Sequence, residues 1–442
     1  MTECNRQPLL FSSLKSQKIV ADFNGGRLTS DGGGLLLREA DRQLDLIRRL
    51  TECIPDPRDP LLTIHDQQTM LAQRIFGIAL GYEDLNDHDT LREDPLFSVL
   101  AEKEPDPDEP LASPPTLCRF ENRVGRRSLV GMAEVLVESF ITSHAKPPKE
   151  IILDFDATDD RVHGMQERRF FHGYYDAYCF LPLYVFCGDQ LLTAYLRPSN
   201  IDPSMHTRAI LKLLVQRLRQ VWPEVRIIVR ADSGFCRWKL MKWCEKHGVF
   251  YVFGLARNKV LEGMAEPFMA QAEEAFQRTG VKQRQFHEIH YAAGTWDRKR
   301  RVIVKAERLP KGPNVRFVVT NLTTLPPADI YDNLYTDRGD MENRIKEVQL
   351  GLFADRTSCH KFMANQFRLL LAAAAYVLID HIRRTALKGT ELAKAQVTTI
   401  RLKLLKIAAR VITSVRRVVF HLSSGCPYQP LFRHVVDRLV PE

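Results

Sequence analysis

The chain has 442 residues, 45% of them hydrophobic and 26% charged, which excludes a disordered polymer or a single small module and implies about two to four domains with proper cores. Sixty-three basic against 54 acidic residues give a formal charge of +9, a moderate bias toward polyanions that does not by itself establish nucleic-acid binding. The nine cysteines are dispersed with no Cys-x-x-Cys pair, which argues against a zinc ribbon or a disulfide framework.

Residues 1–148 read as mostly helical. Ser30-Asp31 is a helix-capping pair ahead of Leu35, Leu36, Leu44 and Ile47, and further helical patterns occupy 66–81 and 116–144. The opening residues are polar, so no secretion leader is predicted and a reducing cytoplasm is the expected compartment. The acidic, proline-rich run from Glu102 to Pro110 predicts a solvated loop, and His144–Lys149 a linker.

From 149 to 256 the pattern predicts strands near 151–156, 178–187 and 190–196, a helix over 205–221, a strand at 225–231, a helix at 237–247 and a strand at 249–254. Strand pairs followed by alternating helices and strands predict a mixed α/β sheet. Residues 257–327 then show a helical piece near 263–278 and alternating strands near 284–292, 299–307 and 315–320. His287 and His290 lie in one of these strands, without the spacing of a helical zinc motif. The apolar run Leu369–Ile379, bounded by Arg368 and Asp380, is too short to span a bilayer and reads as a buried helix, with no membrane partner expected. The tail, 386–442, reads as a basic helical segment carrying Arg401, Lys403, Lys406, Arg410, Arg416 and Arg417, with an apolar stripe of Leu402, Leu405, Ala409 and Ile412.

Three acids stand out. In Ile151-Ile-Leu-Asp154-Phe-Asp156, period-two alternation puts both aspartates on one face of a mostly buried strand, where carboxylates are costly unless paired or bound to a cation. In Val225-Arg-Ile-Ile-Val-Arg-Ala-Asp232-Ser-Gly, another β-branched strand runs into an acid and a turn. In Tyr335-Thr-Asp-Arg338-Gly-Asp-Met-Glu342-Asn-Arg-Ile-Lys346, helical spacing aligns Tyr335, Arg338, Glu342 and Lys346 on one stripe. Each acid alone reads more readily as a cap, a turn or an exposed ion pair than as a site. Together they fit a two-metal phosphoryl-transfer site better than three unrelated caps.

The chain resembles a bacterial insertion-sequence DDE transposase. It is similar to the thirteen-eighty family of the insertion-sequence-four-like superfamily. The resemblance rests on the ordered set Leu153-Asp-Phe-Asp-Ala-Thr-Asp-Asp, Phe171-His-Gly-Tyr-Tyr-Asp-Ala-Tyr-Cys-Phe-Leu-Pro, Arg230-Ala-Asp-Ser-Gly-Phe, Tyr251-Val-Phe-Gly-Leu-Ala-Arg-Asn and Asp355-Arg-Thr-Ser, and runs from Phe23 to about Ile382. It implies an RNase H-like catalytic core, a mixed five-stranded sheet with helices built from 149–256 and 328–385. It further implies a β-rich insertion domain at 257–327, a DNA-end-binding helical region at 1–148 and the helical tail. In the superfamily the first acid precedes a small residue and a Thr, which selects Asp156 over Asp154. The superfamily signature, Tyr-x2-Arg-x3-Glu-x6-Lys, is matched by Tyr335, Arg338 and Glu342, but its last position is Gln349, leaving Lys346 as the substitute one turn earlier.

The resemblance implies that Asp156, Asp232 and Glu342 hold two Mg²⁺ ions, which Mn²⁺ can replace, about 3.5–4 Å apart. It implies double-stranded DNA as partner, cleavage and strand transfer at terminal inverted repeats, and a homodimer on DNA. Tyr335, Arg338 and Lys346 would contact the backbone near the scissile phosphate. Trp296 with Arg298, Lys299 and Arg300 is a candidate for stacking on an unpaired base, or equally a cross-strand core aromatic. The alternatives are an endonuclease of the same fold that does not join strands and a domesticated DNA-binding relic.

Overall fold

The computed structural model describes residues 8–440, so the opening residues on which the reading of no leader rests lie outside it. The chain divides into two compact units, residues 122–377 and residues 1–121 with 378–442.

The larger unit is built on one eight-stranded sheet. Its elements in chain order are α1 (Arg126–Thr142), β1 (Glu150–Ala157), β2 (Asp160–Arg161), β3 (Phe170–His172), β4 (Ala177–Phe180), β5 (Leu183–Cys187), β6 (Gln190–Tyr195), α2 (Thr207–Val221), β7 (Arg226–Ala231), α3 (Trp238–Lys246), β8 (Phe250–Leu255), α4 (Lys259–Thr279), β9 (Gln283–Tyr291), β10 (Arg300–Leu309), β11 (Gly312–Thr320), α5 (Arg338–Lys346) and α6 (Phe362–Thr385). The strand order is β9-β10-β11-β8-β7-β1-β5-β6. β1, β7 and β8 run parallel, and every other neighbour pair is antiparallel. The predicted mixed α/β sheet is therefore present. The expected strand 178–187 is two strands, broken at Leu181-Pro182, because proline cannot donate to a ladder.

Residues 257–327 do not form a body of their own. β11 pairs with β8, so the three strands read as a separate domain extend the central sheet.

Alternation decides which face each residue meets. Leu153 and Phe155 of β1, Ile227 and Val229 of β7, and Tyr251 and Phe253 of β8 pack on one face with Phe140 of α1, Leu211, Leu214 and Leu218 of α2, Met241 of α3 and Leu261 of α4. On the opposite face Ile228, Val252, Ile303 and Val318 pack under Ile330, Tyr331 and Leu334. Asp154 and Asp156, offset by one from Leu153 and Phe155, share that second face. Two π-helical turns, Ile330–Tyr335 and Glu347–Gly351, flank α5. The apolar run predicted at 369–379 is the middle of the longer α6. That helix is long and apolar enough to cross a bilayer by length and composition, but most of it is buried inside the protein.

In the smaller unit, helices Leu35–Leu44, Leu46–Glu52, Gln67–Leu80 and Pro95–Leu100 bear out the helical pattern, and an antiparallel hairpin, Leu9–Leu14 with Gln17–Ala21, precedes them. Arg74 pairs with buried Glu121 at 2.8 Å and donates to His88, whose burial first and Arg74 second push its pKa down to about 2. The tail departs from expectation. Ala409–Ser414 and Arg417–Leu422 form a hairpin beside Leu28–Thr29, and only Gln429–Leu439 is a long helix. The apolar stripe Leu402, Leu405, Ala409, Ile412 is accordingly broken: Leu402 and Ile412 are exposed, and Ala409 and Val411 point inward with strand alternation. β-Branched Val411, Ile412, Thr413, Val418 and Val419 account for the change. Two of the tail cations serve the fold: Arg401 donates to Ala79 O at 2.8 Å, and Lys406 pairs with Asp31 at 2.6 Å.

Candidate active site

The strand β1 carries its two aspartates into different environments. Asp154 is buried and both its oxygens are bound by Arg230 of β7, the second at 2.7 Å. Arg230 also donates to the Leu334 carbonyl, so this pair ties the first π-helical turn to the sheet. Burial raises the Asp154 pKa, and Arg230 opposes it. Asp154 is thus an element of the scaffold.

Asp156 sits at the end of the same strand, on the same face. Arg338 of α5 reaches it at 3.3 Å and, one helical turn on, binds Glu342 at 2.7 Å. The Asp156 pKa is pushed up to about 7, first by burial, with Arg338 opposing and the charges of Asp232 and Glu342 adding to the rise. Arg338 thus brings two of the three predicted acids together, from β1 and from α5, while Asp232 lies in the turn after β7 and raises the Asp156 pKa.

Asp232 stands where parallel β7 ends beside parallel β1, and it caps the turn that follows by accepting from Gly234 N at 2.8 Å. Gly254 makes this possible. A Cβ there would lie 2.5 Å from the Tyr335 hydroxyl and 3.0 Å from Ser233 N. The sequence does carry a signal for it, a glycine inside the aromatic strand run Tyr251–Leu255, where close approach of another chain segment is the usual reason. Burial raises the Tyr335 pKa, Arg338 opposes and Asp232 adds to it, which places Tyr335 in the same group of charges.

Lys346 is exposed and points to no partner among the described residues. Gln349, at the position where a lysine was looked for, is buried and donates to the Asp159 carbonyl at 3.0 Å, steadying the segment after Asp156.

The four residues proposed from 296–300 are not all available to DNA. Arg300 is buried and bound to Glu245 at 2.8 Å and Asp297 at 2.8 Å. Arg298 pairs with Glu245 at 2.6 Å, Lys299 is exposed, and Trp296 is half-buried against the core, edge-on to Tyr291. The basic run looked solvated in the sequence because Glu245 is remote in the chain.

The donor chemistry fits a hard divalent cation. The three groups offer only carboxylate oxygens, and the raised Asp156 pKa comes first from burial, with the charges of Asp232 and Glu342 adding less. Among the described residues no three His, Cys, Asp or Glu side chains stand close enough to share one ion, and Arg338 occupies both Asp156 and Glu342.

A mixed α/β sheet with acids at the adjacent ends of two parallel strands and a third on a helix, two of them bridged by one arginine, defines a carboxylate-centred α/β domain. The chain belongs to the family described as Transposase DDE domain group 1, whose sequence profile matches residues 11–441. Among solved structures, it is similar to a piggyBac transposase synaptic complex with hairpin DNA determined by cryo-EM, at 11% identity and a TM-score of 0.42 over 86% of this chain and 80% of that one. A search of curated proteins returned no match.

Proposed function

We propose that the chain is a bacterial insertion-sequence transposase of the thirteen-eighty type. On this reading it binds the inverted repeats of its own element, cuts the DNA there and joins the freed ends to a target. The observation that carries the reading is that Arg338 bridges Asp156 and Glu342, with Asp232 following the strand paired beside that of Asp156, in a chain of the transposase DDE family. The strand order β6-β5-β1-β7-β8, with β1, β7 and β8 parallel, supports an RNase H-like core, and β9–β11 are the inserted strands.

Asp156, Asp232 and Glu342 would hold Mg²⁺ or Mn²⁺, which when bound lowers the pKa of the attacking hydroxyl and stabilises the leaving oxygen. Arg338 releases the two carboxylates it bridges and turns its fork to a phosphate oxygen beside the scissile bond. Tyr335 orients that phosphate through its hydroxyl, and exposed Lys346 contacts the backbone one turn further along. Arg230 keeps Asp154 occupied, so only Asp156 of the pair is free to serve the reaction. The N-terminal helical region, residues 1–148, supplies much of the discrimination between end and random DNA, and two chains act together on DNA because each has one set of acids for one end. The cytoplasm is the proposed compartment.

The test is incubation of the full chain with a duplex of the element's end and a supercoiled target, with and without Mg²⁺. Metal-dependent nicking that frees a 3′-hydroxyl, followed by joined product, is expected. Nicking without any joining would leave an endonuclease instead, and joining that persists in excess chelator would remove the metal from the reading.

A further inference from the structure

The segment that follows Asp156 carries rings where a soluble surface usually carries charge. Phe170, Phe171, Tyr174 and Tyr178 are 40%, 54%, 86% and 47% exposed, a cluster of apolar surface of the kind that marks a binding site. Phe170, Phe171 and Tyr178 belong to the small antiparallel sheet β2-β4-β3, in which Phe171 is paired with Tyr178, and Tyr174 lies in the turn joining β3 to β4. The two rings meet edge-on at 5.7 Å, and Tyr174 meets Tyr175 edge-on at 5.0 Å.

Cations accompany the rings. Arg169 lies over the Tyr178 ring at 4.5 Å and Arg168 over Phe362 at 5.2 Å, and neither is bound to a carboxylate among the described residues. The segment is held in place: Glu167 N donates to His360 O at 2.9 Å, Glu167 accepts from Phe362 N at 3.0 Å, and Ser199 donates to Phe170 O at 2.9 Å. It also adjoins the acids in the fold, because β2 starts at Asp160, just after the Asp156 strand ends at Ala157, and pairs with β4. The Tyr175 hydroxyl is pushed up to about 12 by burial first, then by the charges of Asp159 and Asp156.

We infer that Phe171, Tyr174 and Tyr178, with Arg168 and Arg169 beside them, form a platform on which unpaired bases of the DNA strand stack next to the acid cluster. The inference rests on the transposase reading for the identity of the polymer. Rings with unneutralised cations fit a nucleic-acid strand, whose bases offer flat faces and whose phosphates offer charge, better than a lipid or an apolar peptide. Phosphodiester chemistry at Asp156 brings such a strand alongside. This assigns base stacking to 170–178 in place of Trp296, whose ring is half-buried against the core.

The test uses the full chain and two DNAs: a fully paired end duplex, and the same duplex with a short unpaired tail carrying 2-aminopurine. Wild type should bind the tailed DNA more tightly and change the probe's fluorescence. The double variant Phe171→Ala, Tyr174→Ala should lose about tenfold or more in affinity for the tailed DNA, keep its affinity for the paired one and melt as wild type, since both rings are exposed. Arg168→Ala should lower the salt slope by about one unit on either DNA. A wild type with no preference for the tailed DNA, or a double variant that loses both DNAs equally, overturns the platform and leaves the patch to a protein partner. Ring-dependent binding without metal-dependent cleavage would overturn the transposase reading and leave the platform standing.

Discussion

Asp154 and Asp156 stand two residues apart on one face of one strand, each met by an arginine, and they end in opposite states. Arg230 saturates Asp154: both carboxylate oxygens are bound, the guanidinium has a further carbonyl acceptor, and the two side chains are only 8% and 3% exposed. Asp156 is held more loosely: Arg338 meets one oxygen at 3.3 Å and is shared with Glu342, the other oxygen accepts from Ala157 N at 2.9 Å, and Asp232 adds repulsion. The saturated pair holds structure because nothing remains for a substrate to bind. The looser one has weaker partners to give up, and on the proposed reading a cation would replace them. The same contrast separates Arg300, held by Glu245 and Asp297, from Arg168 and Arg169, which have rings but no acids.

The sharpest way to break this comparison is to remove the acids on the looser side. Asp156→Ala, Asp232→Ala or Glu342→Ala should each lower cleavage by about 10³-fold or more, the rate equivalent of losing about 4 kcal/mol of transition-state stabilisation, while end binding measured by anisotropy survives. Any of the three that cleaves near the wild-type rate does not belong to the site. On the saturated side the loss should appear as stability. Asp154→Ala strands a buried guanidinium and should cost about 3–5 kcal/mol in denaturant unfolding, with the folded fraction more active than Asp156→Ala; the reverse order would exchange the roles of the two aspartates.

Arg338→Ala sharpens the contrast with Arg230. Cleavage should fall by about 10–100-fold, as for one lost charge-assisted contact, with stability changing by under about 1 kcal/mol because the pair is partly exposed; a large drop in melting temperature would make Arg338 structural. Smaller still is Gly254→Ala. The new methyl must push aside the Tyr335 hydroxyl and the Ser233 backbone, an overpacking that costs about 1–3 kcal/mol. The companion variant Tyr335→Phe, Gly254→Ala should regain part of that stability, and no recovery would mean that the backbone at Ser233 bears the clash.

The strands were legible because β-branched and aromatic residues alternate in 151–156 and 225–231, and that period alone put Asp154 and Asp156 on one face and Asp232 at a strand end. Glu342 and Arg338 were legible as a helical pair. What decides between the two aspartates was not, because Arg230 reaches Asp154 across 76 positions of chain and local pattern carries no record of such a contact. The burial of Arg300 was hidden in the same way behind a run of charges. The tail hairpin was missed because Leu402, Leu405, Ala409 and Ile412 satisfy a helical period by chance, while the β-branched residues among them favour a strand.

The strands β9–β11 fall between the second acid and the third, and they complete the sheet before α5 appears. During synthesis from the N-terminus, Asp156 and Asp232 therefore emerge and pair into their strands well before Glu342 and Arg338 exist. A chain interrupted between residues 320 and 338 has a sheet to fold and two acids, but no third carboxylate and no arginine to order them. On the proposed reading, a stalled or truncated product is harmless to its host's chromosome, and only a finished chain is armed.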